Sequence, residues 1–232
     1  MRLAIVGRGR MGQAVEALAR ERGHTIGLVV TGADNPEGAA LTAERLAEVD
    51  VALEFTRPDA VFGNLEKLVR AGIPTVTGTT GWFDRLPELD RLVSNQRGAV
   101  LYAPNFSVGV QLFLRAAADL ARRFSGRPGF AASIIEQHHA GKRDKPSGTA
   151  LRLRDGVRRE DPNRDFPITS IRSGAIPGTH ALLFDSPAES IQLEHVARGR
   201  EAFAAGALSA AEWLPGHQGV FSFEEMLFGR ER

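Results

Sequence analysis

The feature that most limits what this chain can fold into lies at its very start. An apolar run, Leu3 to Val6, leads directly into Gly7-Arg8-Gly9-Arg10-Met11-Gly12. Met11, Ala14, Val15, Leu18 and Ala19 then recur at helical spacing until Gly23 breaks the pattern. A strand, a G-x-G-x-x-G turn and a helix, in that order, form the arrangement that receives a dinucleotide. The first glycine permits the tight turn, the second lets a pyrophosphate approach the backbone, and the third lets helix and strand pack closely. The helix start contributes open N–H groups and the positive end of its dipole.

The same alternation continues for about a hundred residues. Ile26 to Val30, Val51 to Phe55, Thr75 to Thr77 and Ala99 to Tyr102 read as further strands, and a helix is expected from near Pro58 to Gly72. Strands alternating with helices of this length predict an α/β fold, a Rossmann-type doubly wound parallel sheet. Ligands of such sheets bind at the carboxyl ends of the strands. Two loops fall there, Gly78-Thr79-Thr80-Gly81 and Ala103-Pro104-Asn105-Phe106-Ser107, and their hydroxyl and amide groups suit a nicotinamide and its ribose. The acid expected after the second strand is absent, since that point reads Val29-Val30-Thr31-Gly32 and the nearest acid is Asp34. Thr31 is small and neutral, and Arg8 and Arg10 are placed to accept a 2′-phosphate. This favours NADPH, or dual use of NADPH and NADH, over strict use of NADH.

Near residue 105 the pattern changes. A helix is expected from Val108 to Ala121, then a strand from Phe130 to Gln137, a polar loop from Gly141 to Gly148 and a short helix from Thr149 to Arg158. Three runs follow without helices between them: Ile168 to Arg172, Thr179 to Phe184 and Ser190 to Val196. They predict an α+β second domain with a mixed sheet. Glu201 to Leu214 and Phe223 to Phe228 read as closing helices.

The densest chemistry lies in Glu136-Gln137-His138-His139-Ala140-Gly141-Lys142-Arg143-Asp144-Lys145-Pro146-Ser147-Gly148-Thr149-Ala150. Histidine exchanges a proton near neutral pH, and lysine supplies a fixed positive charge or an acid. Ser147 suits an N-cap, which leaves the N–H groups of Gly148 and Thr149 to an anion. These parts resemble a pocket for a small carboxylate-bearing substrate that gains a proton. The plainer reading is a solvated charged loop, and it fits Arg143 and Lys145. A metal site lacks a third ligand at a recognisable spacing, so no metal is expected.

Composition narrows the class. The 232 residues carry a formal charge of only +1, without the field of a nucleic-acid binder, and contain no cysteine for disulfides, thiolate zinc sites or thiol nucleophiles. No apolar run approaches the ~20 residues that span a bilayer. The strand-like start leaves no room for a signal peptide, so a cytoplasmic protein is expected.

Taken together, these residues resemble the 4-hydroxy-tetrahydrodipicolinate reductase (dihydrodipicolinate reductase) family of the diaminopimelate route to lysine. The family signature is similar to His-His-x-x-Lys-x-Asp-x-Pro-Ser-Gly-Thr-Ala, matched from His138 through Ala150. The likeness continues in Gly9 to Gly12, Gly78-Thr79-Thr80, Asn105 to Val110, Ile171 to Gly174, Gly178-Thr179-His180 and the segment from His195 to Ala207. The resemblance implies reduction of 4-hydroxy-tetrahydrodipicolinate to tetrahydrodipicolinate with NAD(P)H, by hydride transfer to ring C4 with loss of water. It implies His138 as proton donor or acceptor and Lys142 as second proton donor. It further implies His139, Gly148 and Thr149 as contacts of a dicarboxylate substrate. Gly7, Arg8, Gly9, Arg10, Met11 and Gly12 would hold the cofactor with Thr31, with Gly78 to Thr80 and with Ala103, Pro104, Asn105 and Phe106. Residues 1–105 and 207–232 would form the dinucleotide-binding domain. Residues 106–206 would form the substrate-binding domain, which builds a homotetramer. Two other readings stand beside it: another two-domain dehydrogenase acting on an amino-acid-derived imine, and a non-catalytic NADPH sensor.

Overall fold

The first strand, β1 (Arg2–Val6), is fully buried from Leu3 to Val6. A strand covered on both faces needs apolar residues at consecutive positions, and that is what the sequence supplies. In the computed structural model, which describes residues 1–229, β1 pairs in parallel with β2 (Thr25–Val30) on one side and β3 (Val51–Glu54) on the other. β4 (Thr75–Thr77) and β5 (Ala99–Tyr102) extend the sheet beyond β3, again in parallel. The crossovers carry α1 (Arg10–Glu21), α2 (Ala43–Leu46), α3 (Val61–Arg70) and α4 (Leu86–Gln96).

The chain then builds a second unit. It runs through α5 (Val108–Phe124), β6 (Ala131–His138), α6 (Gly148–Glu160), β7 (Ile168–Arg172), β8 (Thr179–Asp185) and β9 (Ser190–Val196). It returns through α7 (Glu201–Trp213), β10 (Gly219–Ser222) and α8 (Phe223–Phe228). The two units comprise Met1–Val108 with the segment from Arg200 onward, and Gly109–Gly199. The second crossing thus falls before α7, whereas the sequence placed it at 206/207, which would cut one continuous helix. Small residues explain why α7 stays whole: Ala204, Gly206, Ala207, Ala210 and Ala211 are buried against the first sheet. A Cβ on Gly206 would stand 1.8 Å from the Phe106 carbonyl oxygen, so only glycine allows this approach.

Strand order in the first unit is β10-β5-β4-β3-β1-β2, with every pair parallel. Alternate residues serve opposite faces. Leu3, Ile5, Leu53 and Leu101 pack with α1 and α7, whereas Ala4, Val6 and Ala52 join a cluster with Leu41, Leu46 and Leu68. Order in the second unit is β7-β6-β8-β9, with β6 and β7 parallel and β8 antiparallel to both β6 and β9. Its core joins Phe113, Ala117, Ala121 and Phe124 of α5 to Leu153 and Val157 of α6 and to Ile134, Leu182 and Phe184 of the sheet.

Several boundaries differ from expectation for local reasons. β3 ends at Glu54 and α3 starts at Val61, because Arg57 to Ala60 form a turn in which the Arg57 carbonyl accepts from Ala60 and Val61. Pro58 sits in that turn rather than starting the helix. α5 runs three residues past Ala121 to Phe124, which stacks on Phe184 at 4.1 Å between ring centroids. The sequence reading missed β10, whose half-buried Gly-Val-Phe-Ser is too short to show a period.

At the carboxyl end of β3 lies a fully buried carboxyl, Glu54. Thr77 Oγ1 donates to its Oε2 at 2.6 Å, while the Thr56 amide at 3.1 Å and the Thr56 hydroxyl donate to Oε1. Burial pushes this carboxyl above the usual carboxylate range, and the hydroxyl and amide donors around it only partly offset that. A folded-state value above the unfolded one gives stability that is complete at low pH and is lost as pH rises through the folded value. The neutral Glu54→Gln variant cannot ionise, so urea unfolding should show it gaining stability relative to the parent between pH 4 and pH 8. A constant difference across that range would show that Glu54 is not displaced.

Candidate functional site

In the first unit, three loops gather at the carboxyl ends of β1, β4 and β5. Gly7 has a φ of +94°, and a Cβ there would stand 2.2 Å from the Phe55 carbonyl oxygen. A Cβ on Gly12 would stand 2.0 Å from the Gly7 carbonyl oxygen. Gly9 has open space beside it and N-caps α1 without a side-chain bond, and no acid occupies the first turn. The amide groups at the start of α1 are therefore left for an outside acceptor, as a pyrophosphate requires. These residues fit a dinucleotide.

Phe55 is a site residue that the sequence reading missed. Its backbone closes on Gly7, and its ring lies 2.3 Å from where a Cβ on Gly78 would be. It also meets Phe106 edge-on at 6.3 Å. Only its place just past a strand end, where loops meet, pointed to it. Thr79 is buried and its Oγ1 accepts the Thr56 amide at 2.8 Å, which ties the Gly78–Thr80 loop to the Glu54 network. Thr80 is exposed. Ala103 and Phe106 are buried, Pro104 is exposed, and Asn105 Oδ1 closes its loop by accepting the Ser107 amide at 2.8 Å.

Two of the residues expected to choose the cofactor, Thr31 and Arg8, are already paired. Thr31 Oγ1 donates to Asp34 Oδ2 at 2.5 Å, which brings a carboxylate to the end of β2 after all. Arg8 Nε donates to Glu16 Oε2 at 2.9 Å, and Arg20 shares the same carboxylate. Arg10 is exposed at the first position of α1, and Met11 is half-buried behind it.

In the second unit, the alternation of β6 turns Ala132, Ile134, Glu136 and His138 to the covered face. Register across the sheet places His180 of β8 beside Glu136, His195 of β9 beside His180, and Arg172 of β7 beside His138. Glu136 is fully buried, and its two oxygens have different partners. Oε2 bonds His138 Nδ1 at 2.5 Å, and Oε1 accepts from Arg172 Nη2 at 2.7 Å. Burial pushes the Glu136 carboxyl up, but the Arg172 guanidinium and the other bonds outweigh it and hold it down at about 2. His138 is lowered, first by burial and then by the charges of Lys142 and Arg172, against the pull of Glu136. His180 lies at about 4, through burial and the neighbouring His138.

The polar loop follows. Ser147 caps α6, accepting from the Ala150 amide at 3.2 Å, and its Oγ bonds His180 Nε2 at 2.9 Å. Lys142 Nζ pairs with Asp144 Oδ1 at 2.7 Å. His139 and Gly148 are exposed and Thr149 is half-buried at the helix start. The structure therefore brings His138, Lys142 and the start of α6 into one neighbourhood, joined by Glu136, Arg172 and His180. Those three were only quoted as parts of motifs in the sequence, and only strand register shows what they do. Glu136, His138 and His180 each offer a ligand atom within 4.8 Å of the others. Both Glu136 oxygens are engaged, by His138 and Arg172, and the Arg172 cation adjoins them.

The family model described as the N-terminus of dihydrodipicolinate reductase matches residues 1–106, and that of its C-terminus matches residues 109–227. The chain belongs to the dihydrodipicolinate reductase family. A relative from Christiangramia forsetii, named 4-hydroxy-tetrahydrodipicolinate reductase, is 35% identical over 98% of both chains. One of the same name from Thiobacillus denitrificans is 36% identical, also over 98% of both. A solved dipicolinate-bound dihydrodipicolinate reductase from Paenisporosarcina sp. TG-14 superposes with a TM-score of 0.81 at 24% identity, covering 97% of this chain and 99% of that one. A putative myo-inositol dehydrogenase from Sinorhizobium meliloti shares the general fold at a TM-score of 0.57 and 12% identity, covering 100% of this chain and 90% of that one.

The cradle can be tested at Gly7. A Gly7→Ala variant must place a side chain at positive φ against the Phe55 backbone, a left-handed penalty of roughly 1–2 kcal/mol before the clash is counted. Thermal unfolding should fall, and fluorescence titration should show NADPH binding at least tenfold weaker. Unchanged affinity would mean that the Gly7 turn does not shape the cofactor site.

Proposed function

We propose that this chain reduces 4-hydroxy-tetrahydrodipicolinate to tetrahydrodipicolinate with NAD(P)H, in the diaminopimelate route to lysine. The observation that carries the reading is the His138–Glu136–Arg172 array beside Lys142 and the Ser147-capped start of α6. It offers proton exchange next to sites for anions. The nicotinamide, when bound, supplies the hydride that arrives at ring C4 as water leaves. The Gly7–Gly12 loop, the Gly78–Thr80 loop and the Ala103–Phe106 loop hold and orient it. Lys142, the Gly148 and Thr149 amides and His139 take the substrate's two carboxylates, with charge and dipole of the sign a dicarboxylate needs.

His138 manages the proton. Its Nδ1 is bound to the Glu136 carboxylate, so exchange falls to Nε2. Gly178 leaves room there, since a Cβ at that position would stand 3.3 Å from Nε2. Lys142 is the second donor. NADPH, or dual use of NADPH and NADH, is the reading that the mixed set at the end of β2 supports: Arg8 and Arg10 suit a 2′-phosphate, while Asp34 suits the ribose hydroxyls. We assign the reaction to the cytoplasm, on the family resemblance alone.

The decisive assay follows nicotinamide absorbance, with substrate made in situ by a synthase and with NADPH and NADH in separate runs. His138→Gln and Lys142→Ala should each lower kcat by ~10²-fold or more, the usual worth of a positioned acid or base, while NADPH affinity holds. Wild-type turnover in both variants would overturn the role assignment. Cofactor binding without any turnover by the parent protein would favour the sensor reading.

The reading includes a homotetramer built on the second sheet. Ile171, Gln137, Thr179 and Val196 stand in one row across β7, β6, β8 and β9, on the face opposite His138. Ile171 and Val196 remain 39% and 53% exposed, which leaves apolar area open on that face. A Val196→Glu, Ile171→Glu double variant should sediment as a smaller species than the parent. Identical sedimentation would place the contact elsewhere.

A further inference from the structure

Arg172 was described above only as a partner of Glu136, yet its one side chain reaches both halves of the proton- and anion-handling set. Its Nη2 donates to Glu136 Oε1 at 2.7 Å and to the main-chain oxygen of Asp144 at 2.6 Å. Glu136 holds the His138 ring, and Asp144 pairs through its carboxylate with Lys142. The Arg172 side chain is only 11% exposed, and its backbone stands opposite His138 in the β6–β7 register. The loop is fixed nearby as well, since the Ala140 amide donates to the Gly174 carbonyl at 3.1 Å and the Ser173 amide to the His138 carbonyl at 3.0 Å.

We infer that Arg172 is a positioning residue for the reduction: through Glu136 it sets the His138 ring, and through the Asp144 carbonyl it anchors the loop that carries Lys142. This rests on the roles of His138 and Lys142 proposed above. A planar guanidinium with several N–H donors can serve a carboxylate and a carbonyl at once, whereas an ammonium is a point charge on a flexible stem. The two proton-handling side chains are thereby referred to one rigid group, and misplacement of ~1 Å can cost ~10²-fold in rate.

The charges around His138 give this a signature that a merely structural residue would not have. Facing it are Glu136 on its own strand, Arg172 on β7, Lys142 on the loop and His180 on β8, with His195 behind His180 on β9. His180 is neutral at working pH, so Lys142 and Arg172 are the cations that oppose a charged His138. Removing the Arg172 charge relieves part of that opposition while Glu136 remains, so His138 should keep its proton to higher pH.

The test compares Arg172→Gln and Arg172→Lys in the full chain, with NADPH affinity and thermal unfolding as checks on folding. Arg172→Gln should lose ~10–100-fold in kcat, and its His138 ring signals should titrate at higher pH than in the parent protein by NMR. Arg172→Lys keeps the charge on a shorter, more flexible stem whose nitrogen falls short of the place Nη2 holds between the two acceptors, so its His138 titration should stay near the parent while substrate KM rises several-fold. A parent-like titration in Arg172→Gln, with rate lost equally at every pH and fully restored by lysine, would reduce Arg172 to a support of the fold. Parent values of kcat and KM in both variants would remove it from the reaction. If Arg172→Gln does not fold, the KM of Arg172→Lys decides alone: a rise supports the inference and no change overturns it. If the parent protein turns over no substrate, the functional reading fails first. The NMR titration, with and without dipicolinate, then still shows whether Arg172 governs His138.

Discussion

A carboxylate with no exposed surface cannot stay ionised unless the fold brings it a cation, and much of the second unit follows from meeting that need at Glu136. β6 turns Glu136 inward because its side chains alternate, and the residues before it, Ala132 and Ile134, commit that face to the core. Arg172 reaches it from the neighbouring strand only because β7 runs parallel to β6 in a register that sets residue 172 beside 138. A slip of one residue would turn Arg172 to the open face and leave the charge unpaired. Register, ion pair and imidazole orientation are therefore one constraint, and the loop pinned at Asp144 inherits it.

The first unit handles the same residue type in the opposite way. Glu54 is as buried as Glu136, but only threonine hydroxyls, amides and Asn64 surround it, so its charged form is disfavoured. Bonded on both oxygens, this carboxyl ties β3 to β4 through Thr77 and to Thr56, whose amide also meets Thr79. One glutamate is held charged against the His138 ring, and the other is pushed toward neutrality beside the Thr79 loop. Environment, not residue type, separates them.

How much of this was legible in the sequence depended on whether the signal was local. The Gly7–Gly12 turn, the β4, β5, β7 and β9 runs and the Ser147 cap are written in adjacent residues, and they read directly. β10 was missed because four half-buried residues carry no period and gain their identity from β5 alone. His138 and Lys142 could be named from one segment. The partners that give them meaning, Arg172 and His180, lie 34 and 42 residues after His138 and become neighbours only through strand pairing. Asp34 reads in the sequence only as the nearest acid to an empty position, because sequence distance does not show that Thr31 Oγ1 holds its carboxylate at the end of β2.

That last contact reshapes the question of cofactor choice. Arg8 is paired with Glu16, and the Arg8 side chain is 51% exposed although that of Glu16 is only 12%, so solvent screens the pair. A 2′-phosphate offers more negative charge and more acceptor oxygens than one carboxylate, so it can draw Arg8 away at small cost. Asp34 acts in the other direction, since its charge opposes a phosphate and welcomes a free ribose diol. Neither group is buried, so solvent and salt weaken both terms alike. On the reading proposed above, two modest and opposed contributions at one strand end suit either cofactor. A strict preference would need one of them to be desolvated.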